Sequence, residues 1–61
     1  MPVVSIDGGK LDVEKKRELC CKITDALEAA YGHPRSAYII LIHENEQENV
    51  SVGGELLCEV W

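Results

Sequence analysis

The chain has 61 residues, of which 46% are hydrophobic, and carries eleven acidic residues against six lysines and arginines for a net charge of −5. One domain of this size, spanning residues 1–61, buries only about 60% of its unfolded surface and needs support from disulfides, a metal or subunit association. The acidic balance argues against general nucleic-acid or membrane-surface binding and leaves room for a local cationic pocket.

The stretch PVVSID places Val4 and Ile6 on one side and Val3, Ser5 and Asp7 on the other, ahead of Gly8-Gly9. It reads as a strand over residues 2–7, with proline tolerated at the first position of the ladder. Asp12 then stands as an N-cap before VEKKRELCCKITDALEAAY. Val13, Leu19, Cys20, Ile23, Ala26, Leu27, Ala30 and Tyr31 form an apolar stripe at helical spacing, while Glu14, Lys15, Glu18, Lys22, Asp25 and Glu28 face away or flank it. Gly32 supplies a left-handed cap and Pro34 prevents continuation.

The run AYIILIH is too short for a separate helix and reads as a second strand covered on both faces. Strand, helix and strand make a right-handed βαβ unit with parallel, adjacent strands. After the polar loop ENEQENV, Gly53-Gly54 marks a tight turn between two short apolar pieces, which predicts a C-terminal β-hairpin. The fold class is therefore α+β.

Cys20, Cys21 and Cys58 are an odd set with two members adjacent on the helix, so they make no disulfide framework. Side chains about 100° apart around a helix chelate a metal poorly, and no C-x-x-C or H-x-x-x-H spacing occurs. No stretch approaches the ~20 apolar residues of a membrane span, and the opening lacks a basic region followed by an apolar one, so the expected compartment is the reducing cytoplasm. Subunit association is the remaining support. Two strands and one helix leave a sheet face and two edges open, and closing them predicts a symmetric homo-oligomer.

MPVV at the start, GKLDVEKKREL leading into the helix, ILIHE ending the second strand and ENVSVGGELL near the end together resemble the tautomerase superfamily, in particular its short 4-oxalocrotonate tautomerase-like chains. The resemblance runs from Pro2 to about Leu57. It implies a tautomerase/MIF-like β-α-β subunit assembled as a homohexamer, a trimer of dimers, with no metal or organic cofactor. It further implies keto–enol tautomerisation of a small anionic 2-oxo or 2-hydroxydienoic acid, with the amino-terminal proline as base.

For Pro2 to be that base, Met1 must be removed, which methionine aminopeptidases generally do when the next residue is as small as proline. A free α-amino group titrates near ~7.7–8.0. An apolar pocket and a nearby cation both lower that value toward the optimum for a general base at neutral pH. The substrate's carboxylate and the developing enolate call for cations. Lys10 stands where relatives carry an arginine, and offers a point charge in place of a bidentate fork. Ile39 aligns with a second arginine of the relatives, and Val50 with an aromatic wall. Arg35, four residues before Ile39, is the candidate replacement guanidinium. The expected site is thus Pro2 as catalytic base with Lys10, Arg35, Ile39 and Val50 around the substrate.

His43 shares strand parity with Ile39 and Leu41, and a strand-end histidine in solvent is its ordinary role. Two further functions are compatible with the residues: a non-catalytic oligomeric module that keeps the fold after losing its arginines, and a proline-dependent hydratase or dehalogenase-like relative.

Overall fold

The computed structural model describes residues 2–61; Met1, and with it the question of its removal, lies outside the described residues. Strand β1 (Val3–Gly8) leads to helix α1 (Val13–Tyr31), strand β2 (Ile39–Glu44), a hairpin of β3 (Ser51–Val52) and β4 (Glu55–Leu56), and a single helical turn, α2 (Leu57–Val60). Short 3₁₀ turns at Arg35–Ala37 and Gln47–Asn49 precede β2 and β3. β1 and β2 are parallel, in register from Val3 opposite Ile39 to Gly8 opposite Glu44. The ladder is extended at both ends, by the Ile39 amide on the Pro2 carbonyl at 3.1 Å and by the Asn45 amide on the Gly8 carbonyl at 2.8 Å.

Helix α1 starts and stops on the chemistry of its two flanking residues. The Asp12 carboxylate accepts the Lys15 amide at 2.8 Å, satisfying one of the orphan donors of the first turn. At the other end Gly32 takes φ +76° and donates its amide to the Glu28 carbonyl, a left-handed conformation that a side chain would strain. Gly53 and Gly54, at φ +63° and +86°, form the two-residue hairpin turn that needs positive φ at both positions.

The half-buried face of α1 is Lys16, Leu19, Cys20, Ile23, Thr24, Leu27 and Glu28. The expected stripe holds at Leu19, Cys20, Ile23 and Leu27, whereas Ala26 and Ala30 are exposed, as are its ends, Val13 at 66% and Tyr31 at 58%. Opposite it lie Val4, Ile6, Ile40 and Ile42, all half-buried, while Val3, Ser5, Asp7, Ile39, Leu41 and His43 are exposed on the other face. Within one chain, strand β2 is thus covered on one of the two faces expected: a single helix has only one sheet face to lie on.

No described residue is fully buried. The chain measures 43 × 24 × 13 Å with a radius of gyration of 14.8 Å, against ~10.5 Å for a compact chain of this length. Its accessible surface is 4722 Å², where a folded monomer of this mass exposes ~3,950 Å². The chain by itself is two layers without a closed core. No described helix is long and apolar enough to cross a membrane.

Since α1 carries more half-buried residues than any other element, its caps bear directly on stability. Asp12→Ala should cost about 1 kcal/mol, read as a lower urea midpoint with an unchanged slope at fixed protein concentration.

Candidate active site

The sheet separates the expected site residues into two groups. At the end where β1 begins, Pro2 is half-buried, and its carbonyl is tied to Ile39 by the 3.1 Å ladder bond. A proline nitrogen has no part in the ladder, so fixing the carbonyl orients the ring without engaging the nitrogen. Ile39, 37% exposed, stands beside Val3 on the uncovered face and supplies the apolar surroundings of this end. The connection to β2 is held by Tyr38, whose hydroxyl accepts the His33 amide at 2.9 Å and donates to the His33 carbonyl at 3.0 Å.

Arg35 lies in the turn leading to this end. Its Nη1 donates to Asp25 at 2.7 Å and to Glu28, and its Nη2 reaches the Cys21 carbonyl at 3.5 Å. Asp25 first, then Glu28, holds the guanidinium above its already high ordinary pKa. This fork therefore lies on α1, strapping the turn to the helix.

Lys10 and Val50 sit at the far end of the sheet. Between Pro2 and the loop after Gly8 lies the whole of β1, roughly 20 Å of extended chain at ~3.3 Å per residue. Lys10 and Pro2 of one chain are therefore too far apart to touch one small molecule. Lys10 Nζ lies 2.6 Å from Glu46, which raises the lysine pKa, although both side chains are more than half exposed and the pair is correspondingly weak. A cavity of about 360 Å³ opens here, lined by Asp7, Gly8, Gly9, Asn45, Gln47, Val50, Leu57 and Trp61.

Two carboxylates that sequence reasoning did not single out shape this end. Glu44 accepts the Leu11 amide at 3.0 Å and pairs with Lys16 at 3.0 Å, so it clamps the loop carrying Lys10 onto the end of β2. The Leu11 amide, and then Lys16, holds the Glu44 carboxyl below its ordinary value of 4.5. The only forward signal was the acidic residue ending ILIHE; its partner lies 33 residues away. His43 faces Asp7 across the ladder, at the opposite end of the sheet from Pro2. Cys20 is half-buried, and Cys21 and Cys58 are exposed; all three are free thiols. Among the described residues no cluster of three or more His, Cys, Asp or Glu side chains is arranged to hold a metal ion.

The family model described as Tautomerase enzyme matches residues 2–59. Among solved structures, DmpI from Archaeoglobus fulgidus is 51% identical over 93% of this chain and 98% of its own, with a TM-score of 0.84. A 4-oxalocrotonate tautomerase isozyme from Methylibium petroleiphilum is 29% identical over 93% and 94% of the two chains, with a TM-score of 0.81. A chain from a structural study of trans-3-chloroacrylic acid dehalogenase activity is 28% identical over 90% and 97%, with a TM-score of 0.77. No curated protein matches the chain.

Glu44 gives the clamp a pH dependence of defined sign. A depressed folded-state pKa stabilises the fold fully above the unfolded value, and that contribution is lost as pH falls through the folded one. Glu44→Gln should therefore narrow the loss of stability between neutral pH and pH below 4.5, measured by urea unfolding of both proteins across that range.

Proposed function

The chain belongs to the tautomerase family of enzymes, and from that premise we propose that it interconverts the keto and enol forms of a small anionic 2-oxo or 2-hydroxydienoic acid, using Pro2, freed by removal of Met1, as general base. The observation that carries this reading is the position of Pro2. It directly precedes the first strand of a chain that the family model matches from residue 2, with its carbonyl tied and its nitrogen outside the ladder.

In the proposed reaction the Pro2 nitrogen takes the proton of the 2-hydroxyl group. The oxygen's electron pair forms the carbonyl, the conjugated π electrons shift along the chain, and a carbon atom receives the proton back from Pro2. Negative charge on the oxygen peaks between the two transfers, where a fixed cation contributes most. Lys10 is that cation or the anchor for the carboxylate. Ile39 and Val50 exclude water and so keep the amine unprotonated. Arg35 is the second cation available, and its use on a substrate exchanges the Asp25 and Glu28 carboxylates for the ligand's.

Because Pro2 and Lys10 lie at opposite ends of β1, each complete site draws them from different copies of the chain. Assembly is thus part of the same proposal, with a hexamer built as a trimer of dimers in the cytoplasm. The missing core, the excess accessible surface and the exposed Val3, Ile39 and Leu41 on the bare sheet face support it. Sedimentation at micromolar concentration should show a single oligomeric species; a stable monomer with full activity would sink the shared site.

Activity is tested by the ketonisation of phenylenolpyruvate. Pro2→Ala, or protein retaining Met1, should lose about 10²–10⁴-fold in kcat/KM, the usual contribution of a general base. Unchanged activity in Pro2→Ala removes the proposed base. Halide release from a 3-chloroacrylate in the same preparations separates the dehalogenase-like reading, which the 28% identical chain from the dehalogenase study favours. Lys10→Gln should raise KM about tenfold, and Glu46→Gln should lower it by relieving Lys10 of its internal carboxylate.

A further inference from the structure

The structure assigns to Trp61 the role of a substrate-binding, specificity-determining side chain, whose indole offers a flat face to the unsaturated chain of the acid while Lys10 holds its carboxylate. The inference deepens the proposed tautomerase reading and rests on it for the reaction, though not for the binding.

Trp61 is 84% exposed, the most exposed of the large apolar side chains described, and it lines the 360 Å³ cavity. Its backbone is fixed to its own side of the cavity. The Trp61 amide donates to the Leu57 carbonyl at 2.9 Å, and the Leu57 amide donates to the Val50 carbonyl at 2.9 Å. Indole, Leu57 and Val50 thus form one apolar surface tied by main-chain bonds. Facing it, Gly8 and Gly9 present bare backbone, with nothing within 4 Å of where a Cβ would stand, so the space is open.

A charged pair stands next to the lining residues without itself lining the cavity. Lys10 follows Gly9, and its partner Glu46 stands between Asn45 and Gln47, all three flanking residues lining the cavity. Glu46 at 2.6 Å shows that the exposed Lys10 ammonium is open to a carboxylate. A ligand with a carboxylate at one end and a flat conjugated chain behind it satisfies both parts. The chain's two tyrosines, Tyr31 and Tyr38, have ring centroids 6.4 Å apart at the opposite end of the sheet, so Trp61 is the large aromatic side chain at the Lys10 end, where His43 supplies only the smaller imidazole. Offset stacking of π faces adds to what apolar burial supplies and distinguishes a planar chain from a saturated one.

Trp61 is the chain's single tryptophan, so its fluorescence reports the contact without any turnover. The titration uses the Pro2→Ala protein with sorbate, a planar conjugated six-carbon acid, and hexanoate, its saturated counterpart. Saturable quenching by sorbate, at least several-fold weaker with hexanoate, is the expected result. In the otherwise unaltered enzyme, Trp61→Ala should lower kcat/KM for phenylenolpyruvate roughly tenfold, mainly through KM, and Trp61→Phe should restore most of it. Equal response to the two acids, no response to either, or emission that changes only with protein concentration overturns the assignment; the last places the indole in a subunit contact. Full activity of Pro2→Ala together with sorbate quenching removes the proposed base and leaves Trp61's role standing.

Discussion

One helix cannot cover both faces of a two-stranded sheet, and the rest of this structure follows from that constraint. α1 lies against Val4, Ile6, Ile40 and Ile42, and leaves Val3, Ile39 and Leu41 exposed. At about 25 cal/mol per Å² of apolar surface, an uncovered face of this kind is a standing drive toward association. A domain with no fully buried residue cannot close its ledger against backbone entropy alone. The same geometry parts the proposed catalytic groups, since a single strand separates the proline from the lysine. Stability and activity in the proposed assembly thus have one origin, the incompleteness of the subunit.

The polar contacts divide the labour between the two ends of the sheet. At the Pro2 end, Tyr38 and Arg35 bind the connection between helix and strand, to His33 in one case and to Asp25 and Glu28 in the other. At the Lys10 end, Glu44 and Glu46 hold the loop after β1. Glu44 acts largely on the backbone and so sets where the loop lies, whereas Glu46 acts on the ammonium and so sets how available that charge is. Exposed pairs of this sort contribute little to stability one by one. Their effect is on position.

Local chemistry was legible in the sequence wherever a residue acts on its near neighbours. Asp12, Gly32 and the Gly53-Gly54 turn were readable because caps and turns are decided within a few residues. The parallel βαβ order was readable from periodicity and element length. Arg35 was legible as a cation but not in its partners, because Asp25 and Glu28 come alongside only after the chain reverses at Gly32. Glu44 and Trp61 escaped notice for the same reason: the contacts that give them meaning join segments far apart in the chain. The chain alone supplies one of the two covers expected for β2, because an apolar run reports that a strand avoids water and not which chain shields it.

Strand β2 is apolar on both sides, with Ile39 and Leu41 on one and Ile40 and Ile42 on the other. Sliding such a strand by one residue exchanges one aliphatic pair for another, so hydrophobicity, which usually locks alignment, barely discriminates here. The alignment must come from the strand's two polar ends. Tyr38 clasps His33 just before it, and Glu44 clasps Leu11 at its close. Both anchors join a loop to a strand end, so the length of the connection from Gly32 to Tyr38 constrains the alignment of β2 more closely than the bulk of the aliphatic side chains between them.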